Sequence, residues 1–145
     1  MKTELQQLFF EEIEKNFSFL QPKFKGPFPQ LDAKTGGFYV MFIGTNLAIE
    51  FILDKRDEDI ACKISRVING QPTSYYAVDA HGRLVRGELS HLLLAHGIQD
   101  KVFTRVTGLS LKDRISITLG DYARMLKKYG QMVLDDNPEF LDVSK

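Results

Sequence analysis

The clearest pattern of apolar and polar positions lies between residues 38 and 68, where three β-prone runs are separated by two turn clusters. The runs read FYVMFI, LAIEFIL and IACKISRVI, and the segments GTN and DKRDED separate them. Successive side chains of a strand point to opposite faces of a sheet, so each run supplies one residue set to each face. The pattern predicts an antiparallel meander with one dry face and one half-covered face.

Two hairpin registers, derived separately, agree on the same buried layer. The first has a two-residue loop at 45–46, and the second sets Asp54 opposite Asp59. The second register also sets Glu50 opposite Lys63, a favourable charge pair on the other face. A slip of one residue would move the whole layer to the wrong face of the sheet. The predicted pairs of the dry layer are Phe42–Ile49, Val40–Phe51, Phe38–Leu53, Leu53–Ile60, Phe51–Cys62 and Ile49–Ile64.

Apolar residues at helical spacing predict three helices around this meander. The first runs from about 4 to 17, with Thr3 as its N-cap, and the second from about 89 to 96. The longest helix runs from about 111 to 129 after the capping residue Ser110.

Both ends of the longest helix have two interpretations. The run 115–118 is β-branched, so the helix begins either after Ser110 or near Thr118. It ends either at Gly130 or, if the glycine is tolerated, at about Leu134. Both alternatives for each end stay open at this point.

The connecting segments carry weaker signals. Prolines and glycines between 22 and 29 predict an irregular connection, and the composition of 69–72 predicts a turn. A fourth strand is predicted at 75–78, a short edge strand at 83–85, and a strand or loop at 101–106.

The order of these elements predicts an α+β fold. It begins with a helix, continues with an antiparallel β-meander of four to five strands, and ends with two to three helices packed on the sheet. The length of 145 residues fits one domain, residues 1–145, that can bury a core. A hydrophobic content of 43% with eleven phenylalanines argues against disorder.

The net charge and the lengths of the apolar runs indicate which classes of partner and which cellular compartment to expect. The formal net charge is zero, which provides no whole-molecule attraction to nucleic acid or to an anionic membrane. No apolar run approaches the length of a membrane span, and Glu11, Glu12 and Glu14 interrupt what a signal peptide needs as an apolar core. The single Cys62 excludes an internal disulfide and is predicted to be a buried, inert thiol. We expect a soluble cytoplasmic protein without a membrane partner.

Residue types that carry chemistry are sparse in this chain. The histidines are His81, His91 and His96, and the last two lie about 140° apart around a helix, so they do not face one metal ion. Cysteine and histidine show no zinc spacing, and no glycine-rich phosphate loop occurs. Asp79 and His81 could form an acid–base pair, but two polar turn residues beside Gly82 is the interpretation we favour. The sequence therefore predicts no metal, no cofactor and no catalytic residue, without excluding an enzyme.

Charged residues are segregated along the chain. The segment 101–129 holds seven bases against two acids, the last sixteen residues hold four acids against one base, and the turn 54–59 holds four acids against two bases. Solubility alone explains an acidic turn, but a basic partner explains it as well. We predict that this turn binds a partner protein, with the basic helix 112–128 as the second choice. The candidate partner-binding residues are Asp54, Asp57, Glu58, Asp59 and, as an apolar anchor, Tyr76.

Several segments together resemble a group of small, mostly uncharacterised bacterial proteins. After an N-terminal helix they read IEFILDKRDEDIACKISRVINGQP, YYAVD, RLVRGELSHLLL and YARMLKKYGQMVLDD, within about 38–136. Some such groups are immunity proteins, which neutralise a toxin made by the same or a neighbouring cell. The resemblance transfers no functional residue. It implies a non-catalytic protein-binding module whose partner is another protein, and for an immunity protein a toxin with a basic surface.

Two other classes of function stay open. The chain could be a small-molecule-binding or enzymatic domain, with a pocket between the sheet and the C-terminal helix. Nucleic-acid binding through the basic helix is disfavoured, because that helix lacks aromatic residues interleaved on its basic face. Homo-oligomerisation is compatible with each of these functions.

Overall fold

The computed structural model describes residues 3–32, 36–54, 56, 58–73, 83–99 and 103–143. It shows the predicted α+β fold: an N-terminal helix, a curled antiparallel sheet and C-terminal helices. The elements are α1 (Glu4–Asn16), β1 (Lys25–Leu31), β2 (Phe38–Ile43), β3 (Leu47–Asp54), β4 (Asp59–Ile68), β5 (Gln71–Pro72), β6 (Arg86–Glu88), α2 (Leu89–Ala95), α3 (Leu111–Tyr129) and α4 (Gln131–Leu134), with short 3-10 helices at Ser18–Leu20 and Pro138–Leu141.

The sheet has the order β1-β2-β3-β4, and both β5 and β6 pair with β4. Every pairing is antiparallel. Both predicted registers are confirmed: Phe51 lies opposite Val40 on one side and Cys62 on the other, and Asp54 lies opposite Asp59.

Residues 22–29 are not wholly an irregular connection, and that prediction is wrong for their second half. Residues 25–31 form β1, the edge strand beside β2, with an irregular register between Lys25 and Phe28. A proline removes a donor from the sheet and is therefore tolerated on an edge strand or at a bulge. Pro27 and Pro29 occupy such positions here, which is why their signal did not distinguish a loop from an edge strand.

Two further boundaries differ from the predictions. Only Asn69 and Gly70 form the turn predicted at 69–72; their φ angles of 54° and 76° suit the tight hairpin turn that leads into β5. The short edge strand is 86–88 rather than 83–85, because Arg86 pairs with Ser65 of β4. The strand predicted at 75–78 lies outside the described residues.

The helix signals were mostly correct. The hydroxyl of Thr3 accepts from the Gln6 N–H at 3.1 Å, and the Gln6 side chain accepts from the Thr3 N–H, which completes a capping box. Helix α3 begins after Ser110, whose hydroxyl accepts from the Asp113 N–H, so the alternative start near Thr118 is wrong. Gly130 ends α3, and the short α4 follows it.

One face of the sheet is buried against α1 and α3. The predicted dry layer is confirmed, with Ile60 partly buried and the remaining residues fully buried. Phe17 of the α1 C-cap packs on Phe51, with ring centroids 4.3 Å apart, and Phe9 packs on Phe38. This core also takes in the C-terminal residues Phe140 and Leu141, so it draws on most of the chain.

Two contacts tie the C-terminal segment to the sheet. Arg66, on the buried face, donates from Nε to the Leu84 carbonyl at 2.7 Å and pairs with Asp142 through its guanidinium. Asp136 reaches the loop between β2 and β3. Its carboxylate accepts three backbone N–H groups, from Thr45 at 2.8 Å, Asn46 at 3.2 Å and Leu47 at 2.8 Å.

Candidate functional site

The acidic turn predicted to bind a partner lies at the tip of the β3–β4 hairpin. Asp54 and Asp59 are directly opposed across the two strands. Asp54 also accepts a hydrogen bond from the Arg56 N–H at 3.0 Å, which closes the turn. Like charges that face each other across a strand pair are destabilising. The carboxylates of Asp54 and Asp59 therefore repel each other across the tip.

Glu58 is held at the tip by α3. Its backbone has a φ of 51°, an uncommon value for a residue other than glycine. Arg114 donates to the Glu58 carbonyl at 3.0 Å and to its carboxylate at 2.9 Å. The predicted basic helix therefore neutralises one of the predicted partner-binding acids, while Asp59 is exposed beside it. Asp57 and Tyr76 of the predicted set lie outside the described residues.

The second face of the sheet carries a buried ion pair. Glu50 and Arg86 are 6% and 8% exposed, and the Arg86 guanidinium donates directly to the Glu50 carboxylate. Glu50 does lie opposite Lys63, as predicted, and Lys63 lies opposite Glu88 in the same row. Removing two charges from water is costly, so a buried ion pair need not increase the net stability of the fold. The sequence did not indicate Arg86 as a partner because its strand was predicted three residues earlier.

The two residues of this ion pair line two different cavities. The first, which we call the β1–β5 cavity, has a volume of about 290 Å³ and is lined by residues including Phe28, Gln30, Met41, Ile43, Glu50 and Gln71. The second, the α2–β6 cavity, has a volume of about 420 Å³ and is lined by residues including Leu84, Arg86, Glu88, His91, Leu92 and Val143. Glu50 therefore borders one cavity and Arg86 the other.

The pocket expected between the sheet and the C-terminal helix would lie under α3. There the described side chains Leu119, Tyr122 and Leu126 are buried in the core. The two cavities above lie elsewhere, against β1 and α2.

Two ionisable groups in the core are held in their neutral forms. Burial raises the pKa of the Cys62 thiol well above its usual value, and the nearby Glu88 and Glu50 carboxylates add to the effect. Burial also raises the pKa of Tyr122, whose hydroxyl lies 3.4 Å from the Ile60 carbonyl at the edge of β4. A neutral buried thiol is a poor nucleophile, so this environment suits packing rather than covalent chemistry.

Within the described ranges, no group of three or more His, Cys, Asp or Glu residues is arranged to hold a metal ion. His91 is exposed, and His96 contacts the Phe140 carbonyl at 2.8 Å while its ring stacks on that of Phe140. Asp79 and His81, the candidate acid–base pair, lie outside the described residues. Among the helices of the described chain, none combines the length and apolarity that crossing a membrane requires.

Comparisons with protein-family models, with curated proteins and with solved structures found no match for this chain.

Proposed function

We propose that the protein is a non-catalytic protein-binding module of the immunity type, which neutralises a toxin through contact with a basic surface. The observation that carries this proposal is the pair Asp54 and Asp59, which are opposed where β3 and β4 meet the turn. Two like charges that face each other across a strand pair repel, whereas a cationic partner would be attracted by both. Arg114 binds both the carbonyl and the carboxylate of Glu58, which limits the conformational freedom that Glu58 would lose when a partner binds.

The test uses the polypeptides encoded next to this gene as defined candidates. Each is expressed in a host cell with and without this protein, and growth and complex formation are measured. We expect one neighbour to arrest growth alone, to be harmless in the presence of this protein, and to elute with it as a stoichiometric complex. The immunity role is wrong if no neighbour is toxic, or if a toxic one is unaffected by this protein.

A charge reversal tests the position of the surface. Asp59→Lys should slow association with that toxin at low salt, and the difference should shrink as salt screens the charges. Glu139→Lys is the matched control: Glu139 is exposed, and its 3-10 helix contacts β4. Asp142, which follows Glu139 in the chain, forms an ion pair with Arg66. Arg66 lies opposite the first residue of β3, at the end of that strand remote from the tip. Equal association rates for both variants would place the binding surface away from the hairpin tip.

A further inference from the structure

The β1–β5 cavity differs from the rest of the surface in its lining. Met41 and Ile43 of β2 supply apolar surface, and the aromatic ring of Phe28, which is 47% exposed, stands on β1 beside Met41. Among the described residues that line the cavity, Glu50 is the one with a charged side chain. The cavity thus combines apolar side chains with the amides of Gln30 and Gln71, the hydroxyl-bearing Thr73 and a single carboxylate.

Arg86, the ion-pair partner of Glu50, is not among the residues that line this cavity. Arg86 lines the α2–β6 cavity and Glu50 lines the β1–β5 cavity. Each charge acts most strongly on the cavity that it borders, since Coulomb energy falls with distance and the interior screens charge less than water does. Glu50 is therefore the charged acceptor that an N–H donor entering the β1–β5 cavity would meet.

The size of the cavity limits what can enter it. Pockets for drug-sized ligands begin at about 300 Å³. A cavity of about 290 Å³ suits one long side chain or a fragment of that size rather than a nucleotide or other large cofactor.

We infer that the β1–β5 cavity binds an alkylguanidinium group, supplied by an arginine side chain of the protein partner. An arginine has an aliphatic stem that fits the apolar walls formed by Met41 and Ile43, and a planar cation that stacks on an aromatic ring such as Phe28. Its several N–H groups donate to a carboxylate such as Glu50. The source of the arginine rests on the proposed function, whereas the chemistry of the cavity does not.

The chemistry is tested without any partner, by titrating the protein with N-acetyl-L-arginine N-methylamide and following the methyl signals of Met41 and Ile43 by NMR. We expect saturable shifts of both signals with millimolar affinity. The citrulline derivative, which has the same length but no charge, should bind at least about fivefold more weakly. The absence of saturable shifts at these methyls, or equal binding of the two derivatives, would overturn the inference.

Variants of β1 and β3 assign the contacts. Phe28→Ser should weaken binding of the arginine derivative about two- to fivefold, as expected for the loss of an exposed cation–π contact. Leu31→Ser is the matched control, because Leu31 lies on the same strand and is 53% exposed against 47% for Phe28, but is not among the residues lining the cavity. Glu50→Gln should abolish the preference over citrulline. If Glu50→Gln does not fold, because it removes the partner of the buried Arg86, the Phe28 and Leu31 pair still decides: equal loss in both contradicts the inference.

A competition experiment identifies the source of the arginine. The arginine derivative is added to the complex with the toxin found in the test of the proposed function. Release of the toxin in wild type, and a toxin affinity lowered by Phe28→Ser but unaffected by Leu31→Ser, would support a partner arginine. Binding of the derivative without release would overturn the partner as source. Failure of the proposed function gives a different result: no polypeptide encoded next to this gene is toxic, yet the arginine derivative still binds to the cavity.

Discussion

Asp136 is the residue whose replacement should most clearly show how the C-terminal segment is held to the sheet. It follows α4 with a φ of 54°, in the left-handed region where glycine is usual. Its N–H donates to the Val133 carbonyl, and the next residue donates to the Met132 carbonyl, the pattern of a Schellman motif. Its carboxylate meanwhile accepts the backbone N–H groups of 45–47. A β-carbon on Gly44 would lie 2.7 Å from that carboxylate, so the loop approaches Asp136 as closely as a glycine allows.

The cost of Asp136→Ala follows from these contacts. Hydrogen bonds to a charged acceptor contribute about 1.5–3 kcal/mol each when buried, but water can replace the acceptor for an exposed donor. The donors at Thr45 and Asn46 are exposed and the one at Leu47 is partly buried, so we expect a total loss of about 2–4 kcal/mol. For a chain of this length the melting temperature should fall by about 5–15 °C.

Two companion variants separate the contributions, with urea unfolding as the assay. Asp136→Gly keeps the left-handed backbone and loses only the side-chain contacts, so it should be less destabilising than Asp136→Ala. Asp135→Ala is the control, because Asp135 is exposed and its ion pair with Lys23, at 3.9 Å, should change stability by at most about 0.5 kcal/mol. The reasoning fails if Asp136→Ala is no less stable than Asp135→Ala.

Three further predictions concern the core and metal content. Phe51→Ala should lower the free energy of unfolding by about 3–5 kcal/mol in a urea titration, because Phe51 is buried between two strands and Phe17. A smaller loss than that caused by Phe28→Ala, at an exposed position, would contradict the described packing of Phe51. The thiol of Cys62 ionises at about pH 8.5 in the unfolded chain, whereas its raised pKa keeps it neutral in the folded protein. The free energy of unfolding should therefore fall as the pH rises through that value, and it should fall less in Cys62→Ala. Identical pH profiles for the two proteins would refute this. Elemental analysis of purified protein should find no stoichiometric metal, and one zinc ion per chain would overturn that expectation.

The sequence predicted the meander well because two constraints acted on the same residues. Alternation set the faces of each strand, and the charge pair of Glu50 with Lys63 supported the register that alternation required. The capping residues Thr3 and Ser110 were equally informative, since their hydroxyls act within one turn of their own helix. Local chemistry of this kind is visible without knowing the fold.

Contacts between distant segments could not be predicted in this way. The pairing of Arg86 with Glu50 depends on a three-residue strand, which is too short for alternation to fix its register. The bond from Arg114 to Glu58 joins residues that the sequence showed only as members of oppositely charged segments. The carboxylate of Asp136 acquires its role only where the fold brings the 45–47 loop to it. The candidate site was thus predicted at the hairpin tip, whereas the cavities on the second face of the sheet were not.

The two prolines of β1 affect how copies of the protein meet at high concentration. An edge strand with a full row of outward N–H and C=O groups can template another strand and start aggregation. Pro27 and Pro29 supply no N–H group to this strand, and its register with β2 is irregular between Lys25 and Phe28. A Pro29→Val variant should therefore be more prone to form fibrils. The segment that seemed a loop in the sequence thus forms a strand that is a poor template for a further strand.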